Sequence, residues 1–149
     1  SSTSDNPVYY VQYAHARSKN VDRNAQAAGI TVAGADLSLL DSPADSELLS
    51  QLALYPSVVQ TAADLNEPHR IAHYLEDLAG SYHQWYAAER VVPMKLTEPE
   101  LEGSDARKTQ LAKDPDPDRS SARLKLNDAA CQVFENGLAL LGVTAPDKM

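Results

Sequence analysis

Apolar positions recur every three or four residues over most of this chain, and alternation of the strand type is scarce, the pattern of amphipathic helices packed side by side. Asn6 can cap a first helix, and Pro7 suits its first position, where a missing N–H costs nothing. That helix is predicted to run to about Ala28, with Gly29 as a left-handed stop. At a helical turn of about 100° per residue, Val8, Val11 and His15 share one side, while Tyr10, Tyr13, Ala14, Arg17 and Val21 fall within another arc. One side suits burial. The other carries flat rings and a planar cation.

Residues 30–42 read as a connector with little helical period. Ser42, Pro43 and Asp45 form a second helix start, followed by Leu48, Leu49, Leu52 and Ala53. Pro56 breaks that element and opens the next, which carries Val58, Val59, Ala62, Ala63 and Leu65. Pro68 opens a longer helix with Ile71, Leu75, Leu78, Tyr82 and Tyr86, ending near Arg90. Residues 93–120 differ in kind, with four prolines, Gly103 and the run Asp114-Pro115-Asp116-Pro117-Asp118. They predict a solvated excursion containing one weak helical turn near Ala106–Leu111. A last helix is expected from Ser120 or Ser121, with Leu124, Leu126, Ala130, Val133, Phe134, Leu138 and Leu141, capped by Gly142 and kept from resuming by Pro146. The fold class is therefore all-α: one domain over residues 1–149, a bundle of about five helices.

Composition supports this reading. The 149 residues are 43% hydrophobic, enough for one real core. No apolar run is long enough to predict a membrane span, and Cys131 is the single cysteine, so no internal disulfide is expected. A cytoplasmic setting is the expectation. Because the chain starts at Ser1 and enters a helix almost at once, it is expected to be a piece of a longer protein, a processed N-terminus being the alternative.

Net charge is −8, which argues against a general polyanion binder. The charge is unevenly spread, however. Residues 31–118 hold six Lys/Arg against sixteen Asp/Glu, whereas residues 1–30 hold three against two and residues 119–149 four against three. Any contact with nucleic acid should therefore fall at the two ends, through Arg17, Lys19, Arg23, Arg119, Arg123 and Lys125.

Tyr10, Tyr13 and Arg17 are the groups that stack on and hydrogen-bond to unpaired bases. Tyrosines at helical spacing are also common half-buried core residues, and an arginine there can serve a structural salt bridge. His15 sits among aliphatic positions and reads as a core histidine. His69 and His73 have the spacing of a metal pair but lack a third ligand, so no metal site is assigned. Trp85 and Tyr86 read first as packing and second as a stacking platform. Cys131 lies among Ala129, Ala130, Val133 and Phe134 and reads as inert core.

Three segments together resemble the C-terminal anticodon-binding domain of arginyl-tRNA synthetases, the helical type named for an Asp-Ala-Leu-Arg signature. They are Asn6–Arg17 (NPVYYVQYAHAR), Leu54–Tyr86 (with Leu54-Tyr55-Pro56, Pro68-His69, Tyr74–Ala79 and His83–Tyr86), and Ala122 to Met149 (with Phe134–Leu138 and Leu140–Met149). The name-giving signature is replaced here by Ser121-Ala122-Arg123-Leu124, and the 93–120 segment is longer than the family's usual connection.

The resemblance implies a domain that holds the anticodon loop of tRNA-Arg and senses its middle cytosine. Tyr10, Tyr13 and Arg17 would line the base pocket, and Met149 at the terminus would pack against a neighbouring base. Lys19, Arg23, Arg123 and Lys125 are candidates for the RNA backbone. The parent implied is an arginine–tRNA ligase using ATP and Mg2+, cytoplasmic and monomeric, whose catalytic domain would be this chain's other partner. The chain itself carries no HIGH-like or KMSKS-like segment, glycine-rich phosphate loop or nucleophile triad. No catalytic residue and no cofactor of its own are therefore expected. The alternative is a helical protein-interaction module without an RNA role, since Tyr and Arg are also favoured interface anchors.

Overall fold

The computed structural model describes residues 6–93 and 115–149. The helical turn expected near Ala106–Leu111, with most of the proline-rich excursion, lies outside the described residues. Among the described residues there are five α-helices: α1 (Pro7–Ala27), α2 (Pro43–Ala53), α3 (Tyr55–Leu65), α4 (His69–Ala88) and α5 (Pro117–Leu140).

Local chemistry accounts for most of the boundaries. Asn6 Oδ1 accepts from the Val8 N–H at 2.8 Å and starts α1. Gly29, with φ +75°, lets the Ile30 N–H turn back to the Ala25 carbonyl at 2.9 Å and ends it. Ser42 and Asp45 form a reciprocal capping box on α2. Only Leu54 separates α2 from α3, and Asn66 in the left-handed region (φ 53°) closes α3.

Two expectations are corrected here. The connector before α2 contains a short 3-10 turn, Leu37–Leu39, capped by the Asp36 carboxylate. The last helix starts at Pro117, three residues earlier than the serines suggest. Asp116 Oδ1 accepts from the Arg119 N–H at 2.8 Å, and Pro117 sits at the first position. The Asp-Pro pair reads in sequence as a breaker; here it is a helix start.

Helix α4 is the centre of the bundle and packs against the other four helices, while α1 packs against both α4 and α5. The core is built from Val11 and Ala14 of α1, Leu48 of α2, Leu75, Leu78, Tyr82 and Trp85 of α4, and Leu126, Phe134 and Leu138 of α5. Each large apolar side chain buried there contributes about 1.5–3 kcal/mol. Gly137 marks the closest approach of α5 to α4: a Cβ at this position would fall 2.6 Å from Leu75 Cδ2.

Having two neighbours also changes α1. Ala14 and Val21, placed by periodicity on the tyrosine side, are buried. The helix has two buried sides, one for each neighbour.

Buried polar groups fix how the helices meet. Tyr82 Oη donates to Asn127 Oδ1 at 2.6 Å, and Asn127 Nδ2 donates to the Ser18 carbonyl at 3.0 Å, joining α4, α5 and α1. Asp45, fully buried, accepts from Trp85 Nε1 at 2.8 Å and lies 3.5 Å from Arg123 Nη2. Arg123 Nη2 also pairs with Glu89 at 2.8 Å. Only 4% exposed, Arg123 is a structural cation and is unavailable to an RNA backbone, contrary to the sequence expectation.

Candidate nucleic-acid interface

The second half of α1, the last turns of α4 and the C-terminal tail enclose an open recess of about 540 Å3. Its lining is Tyr13, Ala16, Arg17, Asn20 and Arg23 from α1, Tyr86 from α4, and Lys148 and Met149 from the tail. The apolar material here is unusually open: Tyr13 is 39%, Tyr86 42% and Met149 51% exposed. Flat rings standing in solvent beside cations are what an unpaired base requires.

Arg17 organises the recess. Its guanidinium carbon lies 4.2 Å from the Tyr86 ring centroid and 5.1 Å from that of Tyr13. Nη2 donates to Tyr13 Oη at 3.1 Å, and Nη1 lies 3.0 Å from His83 Nδ1. Burial, reinforced by the Arg17 charge, pushes His83 down to a pKa of about 4, so its ring is neutral near pH 7. Nδ1 then accepts from Arg17, and the ring hydrogen sits on Nε2, which is buried without a partner among the described residues. Arg17 has five N–H donors, and two are engaged in these contacts. Three N–H groups are not used by these two contacts.

Of the residues expected to line a base pocket, Tyr13, Arg17 and Met149 are brought together. Tyr10 is not. Its ring packs 5.1 Å from the His83 ring, half-buried against the core. Its open side lines a separate cleft with Glu47, Glu76 and Asp77, where three carboxylates oppose any phosphate. Tyr10 therefore supports His83 from below instead of facing the recess.

The expected backbone contacts also divide. Arg23 is on the recess, its Nη1 reaching the Asp147 carbonyl at 3.4 Å. Lys19 stands beside Asp22 and Asp128 and is not part of the lining. Lys125 is exposed on α5, also outside it. Arg119 is paired with Asp41 at 2.9 Å.

Sequence reading undervalued Tyr86. The stripe on α4 runs Ile71, Leu75, Leu78, Tyr82 and then Trp85, all buried. Continuing that four-three rhythm places Trp85 in the core and leaves Tyr86 facing out, a signal the sequence carried. Gln12 and Lys148 were missed because their roles depend on where the tail lies. Gln12 Nε2 donates to the Thr144 carbonyl at 2.9 Å, and His15 Nδ1 lies 2.9 Å from the Pro146 carbonyl. The tail is thereby strapped along α1.

Two other clusters are defined by contacts among their own side chains, one buried around His15 and one exposed at His69 and His73. Ligand atoms of His15, Cys131 and Glu135 lie within 4.8 Å of one another, but His15 Nε2 is 2.9 Å from Glu135 Oε1 and the Cys131 thiol 3.7 Å from the same oxygen. Burial pushes the Cys131 thiol up to about 11, so it is protonated and a poor nucleophile. His69 and His73 meet edge to face with centroids 5.9 Å apart. No described helix is long and apolar enough to cross a membrane.

Comparison with known proteins identifies the family of the chain. An arginine–tRNA ligase of Bifidobacterium longum is 67% identical over 151 residues, covering 100% of this chain and 24% of that protein. The Micrococcus luteus arginine–tRNA ligase is 51% identical over 149 residues, covering 100% of this chain and 25% of that protein. The chain thus spans about a quarter of the length of these relatives. Among solved structures, Thermus thermophilus arginyl-tRNA synthetase superposes with a TM-score of 0.68 at 32% identity, over 94% of this chain and 21% of that one. The sequence pattern of the DALR anticodon binding domain matches residues 11–149, and the chain belongs to that family.

Proposed function

We propose that this chain binds the anticodon loop of tRNA-Arg, as the recognition domain of a protein that joins arginine to that tRNA. One observation carries the reading most directly: Arg17 is stacked on exposed Tyr86 while tied to His83 and Tyr13, so the recess exists before any RNA arrives. A preformed site does not have to be ordered on binding, which preserves affinity.

In this reading the rings of Tyr13 and Tyr86 and the Met149 side chain give flat or soft surfaces for unstacked bases. The free N–H groups of Arg17, with Asn20, meet a base edge, and the middle cytosine of the arginine anticodon is the base the family resemblance points to. Arg23 and Lys148 face the phosphates at the rim. Lys125 and Lys19 stand outside the recess and would serve only a longer RNA contact. Each stacked base contributes about 1–3 kcal/mol, and discrimination by a bidentate contact is of similar size.

Ligation itself belongs to the rest of such a protein. The sequence here has no glycine-rich phosphate loop to hold ATP with its Mg2+, so this portion contributes binding and orientation. Its partners are tRNA-Arg and the catalytic portion of the parent, acting as a monomer in the cytoplasm. The test is a titration of the 149-residue chain with tRNA-Arg and with the same tRNA altered at the middle anticodon base. Binding is expected to weaken on the change. Equal affinity for both would overturn base reading, and absence of binding to either would overturn the RNA role.

A further inference from the structure

The tip of the tail poses a physical problem. Met149 is half exposed, so its own burial cannot hold it in the recess, and free termini normally fray. Beyond Gly142 the tail has no helix to stiffen it. What holds it lies upstream. Gln12 Nε2 donates to the Thr144 carbonyl at 2.9 Å, and one turn later on α1 His15 meets the Pro146 carbonyl at 2.9 Å.

His15 differs in kind from Gln12. It is fully buried, and each ring nitrogen faces an oxygen: Nδ1 the Pro146 carbonyl, Nε2 Glu135 Oε1 at 2.9 Å. A carbonyl can only accept, so Nδ1 must carry a hydrogen. Glu135, on α5, fixes the plane of the ring and so the direction of the Nδ1–H bond. Helix α5, helix α1 and the tail are joined in one line through a single imidazole. Pro146 suits the acceptor role, since its own ring restrains the local backbone. Met149 is the third residue after Pro146, a span of at most about 11 Å. Fixing the Pro146 carbonyl therefore limits where Lys148 and Met149 can lie.

We propose that His15, oriented by Glu135, is a positioning residue that keys the C-terminal tail into the recess and so sets its specificity for the anticodon. The inference rests on the RNA-binding reading above, but its first half does not need RNA.

The test uses the 149-residue chain with 13C-methyl methionine, the Met149 signal being assigned by a Met94→Leu variant. His15→Phe keeps the ring volume and removes both hydrogen bonds. The Met149 methyl resonance is expected to move to its random-coil position and sharpen, and affinity for tRNA-Arg to fall about tenfold. In a chain ending at Asp147, the same substitution should cause no further loss of affinity. Glu135→Ala should behave like His15→Phe. Glu135→Gln should restore the wild-type methyl shift, because a glutamine can donate to Nε2 while Nδ1 keeps its hydrogen. Thermal unfolding of each variant checks that the bundle persists at the measuring temperature.

An unchanged Met149 signal in His15→Phe and Glu135→Ala would overturn the proposal. So would an equal loss of affinity in the full and shortened chains, since that marks a merely structural role. Were the methyl signal to shift as expected while neither chain bound tRNA-Arg, the keying of the tail would stand and the RNA reading would fall.

Discussion

The guanidinium carbon of Arg17 sits over the Tyr86 ring, 4.2 Å from its centroid, although the two residues come from different helices. The contact joins a cation and a ring that stay partly in solvent, and His83 Nδ1 also holds the cation at 3.0 Å. Three functions follow for one side chain: it braces two tyrosine rings, adds its charge to the burial that keeps His83 neutral, and has more N–H groups than these contacts use. A lysine would keep the charge but neither the flat stacking surface nor the forked donors, because an ammonium is a compact, strongly hydrated point charge.

Arg17→Lys is therefore expected to weaken tRNA-Arg binding nearly as much as Arg17→Ala, by about 1–3 kcal/mol, in spite of keeping the charge. Tyr86→Leu should cost a similar amount, while Tyr10→Leu should cost less because Tyr10 faces the acidic cleft. Titration of each variant checks this, with far-ultraviolet circular dichroism to verify the bundle. If Arg17→Lys bound like the wild type, charge alone would be sufficient.

Much of this site was legible in the sequence, and the rest was hidden for physical reasons. Tyr13 and Arg17 are one helical turn apart, so periodicity alone puts them together. Tyr10 has the same spacing, yet it belongs to another cleft because α4 covers that part of α1. Which neighbour covers which stretch is a property of the packed bundle. Arg123 could not be read either: nothing local reveals that Asp45 and Glu89, from α2 and just beyond α4, converge on it. The helix starts at Asn6 and Ser42 were readable because capping is local chemistry. The start at Asp116 obeys the same rule, but was masked by the adjacent repeat of Asp-Pro.

Few free cations line the recess, and this sets the salt response. With Arg17 engaged, the charges left to meet phosphates are Lys148 and Arg23, the latter also reaching the Asp147 carbonyl at 3.4 Å. Two contacts to a single-stranded loop predict a slope of log affinity against log salt of about −1.4. A slope steeper than about −4 would mean that Lys19, Lys125 or further cations take part. Measuring binding across a salt series decides between them.

Arg123 should behave as a stability residue. Removing it as Arg123→Leu leaves Asp45 and Glu89 without their cation, and breaking a buried pair from one side costs about 3–5 kcal/mol. Denaturant unfolding should show that loss, while the folded fraction binds tRNA-Arg with unchanged affinity. A selective loss of binding with normal stability would return Arg123 to the interface.

Gly137→Ala tests the tight crossing of α5 over α4. The new Cβ would stand 2.6 Å from Leu75 Cδ2, and Leu75 is itself fully buried. Overpacking of this kind costs about 1–3 kcal/mol. Combining it with Leu75→Ala should cost less than the two single changes added together, because one removes the atoms the other strikes. Additive losses in a denaturant series would show that the crossing relaxes by moving the helices apart.

Two groups with opposite shifts hide one another in the pH dependence of stability. Burial and the Arg17 charge lower His83 from 6.5 to about 4. Between those values the unfolded chain binds more protons at this site, so stability is complete above pH 6.5 and lost as pH falls towards 4. Asp128 is pushed the other way, by burial and by the neighbouring Asp22 carboxylate, from 3.8 to about 6. There the folded state binds more protons, so its contribution is complete below pH 3.8 and lost as pH rises through 6. The two slopes oppose each other across roughly pH 4–6. In His83→Gln the Asp128 slope is left alone, and stability should rise as pH falls through that window. In Asp128→Asn the His83 slope is left alone, and stability should fall. Urea midpoints measured from pH 4 to pH 7, at constant m, read both signs directly. Slopes of the same sign in the two variants would contradict the assignment of these groups as an opposed pair.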